Sequence, residues 1–301
     1  MAKPHISIYT ALVANIFIAG IKFTAGGITR SSSMISEGIH TLVDTSNELL
    51  LLYGLKKSHK PRDESHPWGY GKELYFWSFV VSILIFGFGG GVSIYQGIER
   101  ILHPVPMDNP KWNYIVLGLS SIFEIISLYI SAGEFNKTRG DLSWWAALVK
   151  SKDPANFIVV IEDVADVVGL VIVFLSILLT QLFDIPYLDG VASVLIGLLL
   201  VAISAIVARE SRSLLMGEGI TDESRRRIIT EVQNDKAVTK VIELYSSYQS
   251  PEEIALVMTV AFRDDLDTDD INTAIERMKQ RIRQEFKLVK YVVIQPKALE
   301  K

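Results

Sequence analysis

Two phrases in this chain place metal-ligating side chains at helical spacing inside otherwise apolar sequence. In the stretch Ile35–Leu52, ISEGIHTLVDTSNELLLL, His40 and Asp44 stand four residues apart. In VVIEDVADVVGL, Glu162 and Asp166 repeat that spacing, with Asp163 beside them. A spacing of four puts both side chains on one helical face, ~5–6 Å apart at Cβ, close enough to hold a single cation. An Asp at the centre of a membrane helix costs about 2.5–3.5 kcal/mol, so an ionisable pair there is by default a functional site. The competing reading is a polar seam, in which His40 hydrogen-bonds Asp44 to hold two helices together and the carboxylates are protonated. Recurrence of the pair on a second helix favours a ligand set. Two helices that each present a pair give four ligands when packed together, the coordination number of a Zn²⁺-sized ion.

The elements that would carry these pairs are membrane spans. The chain has 301 residues, 49% of them apolar, and a positive mean hydropathy of +0.30. Apolar runs near the ~20 residues that cross a bilayer begin at Ile6, Met34, Leu74, Asn113, Asn156 and Tyr187, which predicts six spans. The first, Ile6–Gly26, contains Asn15 and Lys22 and lacks a small-residue cleavage site after it, so it reads as a retained span rather than a signal peptide. The third, Leu74–Ile98, holds Gly87, Gly89, Gly90 and Gly91, which permit close helix packing or a bend, with packing the favoured reading. The fourth, Asn113–Ser131, contains Glu124, and the sixth, Tyr187–Val207, contains Asp189 near its start. Both acids are read as structural, with a proton path the alternative for Glu124. The fifth, Asn156–Leu182, carries the second pair. Lys and Arg concentrate after the second and fourth spans, at Lys56, Lys57, Lys60, Arg62 and Lys72 and at Lys137, Arg139, Lys150 and Lys152. By the positive-inside rule both termini are cytoplasmic.

Charged residues are sparse before Ala208 and dense after it, which divides the chain into a membrane domain, residues 1–208, and a soluble domain, residues 209–301. A formal net charge of -4 excludes a nucleic-acid partner as the organising theme. The chain has no cysteine, so thiolate ligands and Cu(I) chemistry are disfavoured and any metal must use His and carboxylates. In the soluble part, Thr221 or Asp222 caps a helix to about Val232, and Val241–Tyr248 and IALVMTVAF read as strands. Thr268 opens a second helix, and LVKYVVI before Pro296 is a last strand. The order αββαβ predicts an α+β layer.

With both pairs in hand, the chain resembles the cation diffusion facilitator family of metal exporters. The resemblance rests on SSSMISEGIHTLVDTSN in the second span, DESHPWGYGKE leading into the third, ExxxD in the fifth and LLMGEG after the sixth. It is nearest the branch that includes mitochondrial zinc transporter-like proteins of animals and many bacterial relatives. The resemblance implies a six-helix transmembrane bundle with a cytoplasmic ferredoxin-like domain, a homodimer in the lipid bilayer, and exchange of a divalent cation for protons. A bacterial inner membrane is the implied location. No permanently bound cofactor is implied, and the transported ion is Zn²⁺ first, with Mn²⁺, Fe²⁺ and Co²⁺ as alternatives.

Carried over by position, the transport site is His40, Asp44, Glu162 and Asp166, with Asp163 as the alternative ligand one residue away. Glu162 stands where zinc-selective members have His, and one imidazole with three carboxylates is a harder set that suits Mn²⁺ or Fe²⁺. The family's second metal site maps onto Asp63, His66 and Tyr70, so one ligand is missing and His66 reads as an ordinary loop histidine. All five histidines precede Pro104, so the family's metal site in the soluble domain is lost. The run Asp264, Asp265, Asp267, Asp269 and Asp270 reads as a solvated acidic turn. A membrane metallohydrolase is the first rival, and it lacks an HExxH signature here. A membrane metal sensor without flux is the second.

Overall fold

The computed structural model describes residues 5–105, 111–139, 142–144, 146–147, 152 and 154–298. Its elements run α1 (His5–Thr29), α2 (Ser32–Ser58), α3 (Glu73–Leu84), a π-helical segment (Ile85–Gly91), α4 (Val92–Leu102), α5 (Lys111–Thr138), α6 (Pro154–Phe183) and α7 (Tyr187–Leu215). The remainder is α8 (Asp222–Gln233), β1 (Val238–Ser250), β2 (Glu253–Phe262), α9 (Thr268–Glu285) and β3 (Val289–Pro296). Contacts divide the chain into two units, Met1–Leu55 with Leu74–Arg212 and Lys56–Glu73 with Ser213–Lys301.

In the first unit, three helical runs among the described residues are long and apolar enough to cross a membrane by length and composition: Glu73–Leu102, Lys111–Lys137 and Tyr187–Leu215. Helices α2 and α6 are 27 and 30 residues long. They also carry the His and acid pairs. Met34, Phe157, Ile158, Val173 and Ile196 are buried between helices, whereas Ile115, Ile122, Phe123 and Tyr129 on α5 face outward. Tyr129 is 82% exposed, and a run of such residues on one helix marks a surface made for an apolar surrounding.

The run Glu73–Leu102 is not one regular α-helix. Its glycine-rich phrase IFGFGGG widens into π geometry over Ile85–Gly91, a conformation that glycine tolerates readily. Close packing is also present. A Cβ on Gly90 would lie 2.6 Å from Val201 Cγ2, and one on Gly97 would lie 2.7 Å from the Gly190 carbonyl oxygen on α7. In the first turn of α7, Asp189 accepts hydrogen bonds from Ser31 Oγ at 2.7 Å, from Ser32 N and Oγ, and from Ser33 N and Oγ. It thereby caps α2 from outside and fixes where that helix begins. The serine turn and Asp189 are one structural device.

The second unit is a three-stranded sheet in the order β1-β2-β3, with β1 and β2 antiparallel and β2 and β3 parallel. A parallel neighbour needs a crossover connection, and α9 provides it. Leu244, Leu256, Met258 and Val260 of the sheet, Ile228 of α8 and Met278 and Ile282 of α9 are buried. Thr221 caps α8 by accepting from Ser224 N, and Asp267 caps α9 by accepting from Asp270 N at 2.8 Å. The acidic run is therefore a capping turn, with Asp265 paired to Arg263. The result is the α+β layer expected from the sequence order αββαβ.

Two of the glycine motifs are explained here. Gly217, at φ 94°, ends α7 as Glu218 N reaches Ser213 O and Gly217 N reaches Leu214 O, the paired bonds of a left-handed helix stop. Gly71 lies against β1 so closely that a Cβ would come within 2.3 Å of the Gln249 carbonyl oxygen. Trp68 packs edge-on against Tyr291 of β3 at 5.3 Å. The HPWGYGKE phrase thus docks the Lys56–Glu73 loop onto the sheet of its own unit.

Candidate metal centre

Helices α2 and α6 deliver the predicted pairs to a common interior. His40 Nε2 lies 3.5 Å from Asp44 Oδ2, and His40 Nδ1 lies 3.4 Å from Asp166 Oδ1. The ligand atoms of these three residues fall within 4.8 Å of one another, and all three are buried. Neither imidazole nitrogen, nor Asp44 Oδ2, nor Asp166 Oδ1 has a hydrogen-bond partner. Buried polar atoms are normally satisfied, and this cluster of unpaired imidazole and carboxylate atoms has the chemistry of a cation ligand set.

The other two acids on α6 diverge. Glu162 Oε1 accepts from Asn47 Nδ2 of α2 at 2.8 Å, so this carboxylate is turned toward a neighbour and is not in the three-residue group. It still lines the cavity of about 400 Å³ that reaches Asp44 and Asp166, together with Glu48, Glu124 and Asp163. Asp163 accepts from Ser127 at 2.9 Å and from Ser131, both on α5. Its carboxylate is engaged away from His40.

Sequence reasoning overlooked the polar residues flanking the pair. Glu37, His40, Asp44 and Glu48 recur at three and four, so they share one face of α2, a signal as legible as the pair itself. Glu48 accepts from Asn15 of α1 at 3.4 Å. Lys22 of α1, fully buried, donates to Glu37 at 3.1 Å and to Thr41 at 2.9 Å, and stands 3.8 Å from Glu124. Glu124 is accordingly an ion-pair partner as well as part of the cavity wall.

The loop residues sit in a different setting. Asp63 Oδ2 accepts from Tyr70 Oη at 2.6 Å and from Lys60 Nζ at 3.3 Å, while Oδ1 accepts from Ser65 Oγ at 2.7 Å and from His66 N at 2.9 Å. The hydrogen bond from Tyr70, followed by that from Ser65, holds the Asp63 carboxyl well below the usual carboxylate range. His66 stacks on Tyr70 with ring centroids 4.1 Å apart, and its Nδ1 lies 2.9 Å from Ser65 Oγ. This is a hydrogen-bonded turn.

A family model described as the cation efflux transmembrane domain matches residues 8–216. The chain is 30% identical over 288 residues to "Proton-coupled zinc antiporter SLC30A9, mitochondrial" of Xenopus laevis, covering 93% of this chain and 52% of that protein. It is 32% identical over 236 residues to the Homo sapiens protein of the same name, covering 78% and 42%. It is 26% identical over 220 residues to "Manganese efflux system protein MneP" of Bacillus subtilis, covering 71% and 69%. The chain spans about half the length of the SLC30A9 relatives it matches. A solved MamM CTD matches at 15% identity over 26% of this chain and 98% of that chain, with a TM-score of 0.25.

Proposed function

The chain belongs to the cation diffusion facilitator family, and from that premise we propose that it moves a divalent metal cation across a membrane in exchange for protons. The observation that carries this reading is the buried convergence of His40, Asp44 and Asp166 from two helices, with four ligand atoms free of hydrogen bonds. Glu162 completes the ligand set by turning from Asn47 when the ion enters. Three carboxylates and a neutral imidazole would leave an empty site near -3, a charge that a low-dielectric interior does not sustain. The empty site therefore carries protons, and metal displaces them because ligands bind only when deprotonated. Rocking of the helices around this fixed site exposes it first to one side and then to the other.

Six spans, cytoplasmic termini and a homodimer in the lipid bilayer belong to the same proposal, as do the division at residues 208 and 209 and a bacterial inner membrane as the location. Zn²⁺ is the proposed ion, because relatives at 30% and 32% identity are named as zinc antiporters. A second reading, Mn²⁺, is favoured by the carboxylate-rich ligand set of this chain. Purified protein in liposomes loaded with a metal-sensitive dye tests the proposal. Metal flux driven by a pH gradient is expected for the wild type and not for Asp44→Ala. Metal binding without flux would make the protein a sensor instead.

A further inference from the structure

Lys22 is the one fully buried lysine among the described residues. It lies beside the centre just described without touching any of its ligands. Its ammonium is fixed by Glu37 and Thr41 of α2, which lie three residues before and one after His40, and it faces Glu124 of α5. Glu37 lies close against α6 at Gly169, where a Cβ would stand 2.2 Å from Glu37 Oε1. That second oxygen, Oε1, is buried and without a hydrogen bond. The cavity is lined by Thr41 and Glu124, both of which meet Lys22, together with Asp44 and Asp166 of the centre.

A buried ion pair is a poor way to hold helices together, because well-packed apolar side chains of the same volume often do as well or better. A full charge one turn from a cation site has a different consequence. In a low-dielectric interior its interaction with a divalent ion is large, and its sign depends on which member of the pair is neutralised.

We propose that the Lys22–Glu37 pair is a fixed counter-charge that sets how tightly the centre holds its metal, positioned so that the ion binds strongly enough to be captured and weakly enough to be released. The inference rests on the reading of His40, Asp44 and Asp166 as the metal centre. Lys22 is a positioning residue here, acting through the field it creates.

The test is Zn²⁺ and Mn²⁺ titration of the full-length protein in detergent, paired with liposome flux. Lys22→Met leaves Glu37 uncompensated, so metal is held about tenfold tighter and both KM and kcat fall as release slows. Glu37→Gln leaves the ammonium alone, so affinity drops about tenfold. Lys22→Arg keeps the charge and stays within about threefold of wild type. Packing would reverse this pattern: Lys22→Met and Glu37→Gln would then shift affinity in the same direction, and Lys22→Arg would be the damaging change. That result overturns the proposal. Should Lys22→Met fail to fold, Glu37→Gln and Lys22→Arg carry the test: a drop of about tenfold in the first with the second within about threefold of wild type is expected, and unchanged affinity in Glu37→Gln overturns the proposal. Asp44→Ala separates the two claims. If it binds metal like the wild type, the centre is misassigned. If it loses binding while the Lys22 and Glu37 variants shift together, only the counter-charge fails.

Discussion

The chain contains two clusters built from the same chemical parts, one between helices α2 and α6 and one in the Lys56–Glu73 loop. Each combines a histidine with carboxylate, and in each the carboxylate lies three or four residues from the histidine. In the loop, both oxygens of Asp63 are filled by Tyr70, Lys60, Ser65 and a backbone amide, in reach of solvent. Between the helices, His40, Asp44 and Asp166 are buried and their facing atoms have no hydrogen-bond partner. Residue type is common to both clusters, and the local supply of donors separates them. A carboxylate already given two hydroxyls, an ammonium and an amide gains little from a metal, whereas one aimed at an imidazole and a second carboxylate gains a great deal.

The strongest way to break this contrast is to remove a ligand from the helical cluster. Asp44→Ala and Asp166→Ala should each abolish metal flux in liposomes, a loss of at least about 100-fold, while the protein still elutes as the wild type does. Retained flux with unchanged elution would move the site elsewhere. Either change also removes a buried acid, so folding itself should be little harmed.

Much of this was legible in the sequence because helical spacing is unforgiving. The pairs at 40 and 44 and at 162 and 166 could face one another only if α2 and α6 were helical, and they are. The αββαβ order of the second unit followed from the change in period between Val238 and Pro296. Three things were not legible. The π-helical segment at Ile85–Gly91 depends on how glycines respond to a packed neighbour, which no propensity encodes. The docking of HPWGYGKE onto β1 depends on a contact with Gln249, some 180 residues away in sequence. The pairing of Lys22 with Glu37 joins two helices, and a lone lysine in an apolar run carries no sign of its partner.

An intermediate effect is expected at Glu162 and Asp163, which test how far the ligand set extends along α6. Replacing Glu162 by His gives two imidazoles with two carboxylates, a softer and less negative set, so the Zn²⁺-to-Mn²⁺ transport ratio should rise severalfold, about 3- to 10-fold. An unchanged ratio would mean that Glu162 stays with Asn47 throughout the cycle. Asp163→Ala should lower flux far less than Asp166→Ala, because its carboxylate is held by Ser127 and Ser131. If Asp163→Ala stops transport while Glu162→His changes nothing, the ligand register is displaced by one residue.

The smallest effect belongs to the loop. His66→Ala removes a ring that stacks on Tyr70 and meets Ser65, yet leaves the Asp63 bonds to Tyr70, Lys60 and Ser65 in place. Flux should stay within about twofold of wild type, since exposed contacts of this kind contribute little each. The pH profile distinguishes the two clusters further. Asp63 has a depressed pKa in the folded state, so its contribution is complete above the ordinary carboxylate range and fades only as pH falls through that lowered value. Between pH 5 and pH 8, roughly the range in which transport is measured, the loop carboxylate does not change charge. Loss of metal affinity on acidification across that window therefore does not come from Asp63, whereas in the helical cluster protons compete with the ion. His66→Ala should leave that acid limb where it stands in the wild type. A shift of the limb, or a loss of flux comparable with that of Asp44→Ala, would show that the loop binds metal despite the tyrosine at position 70.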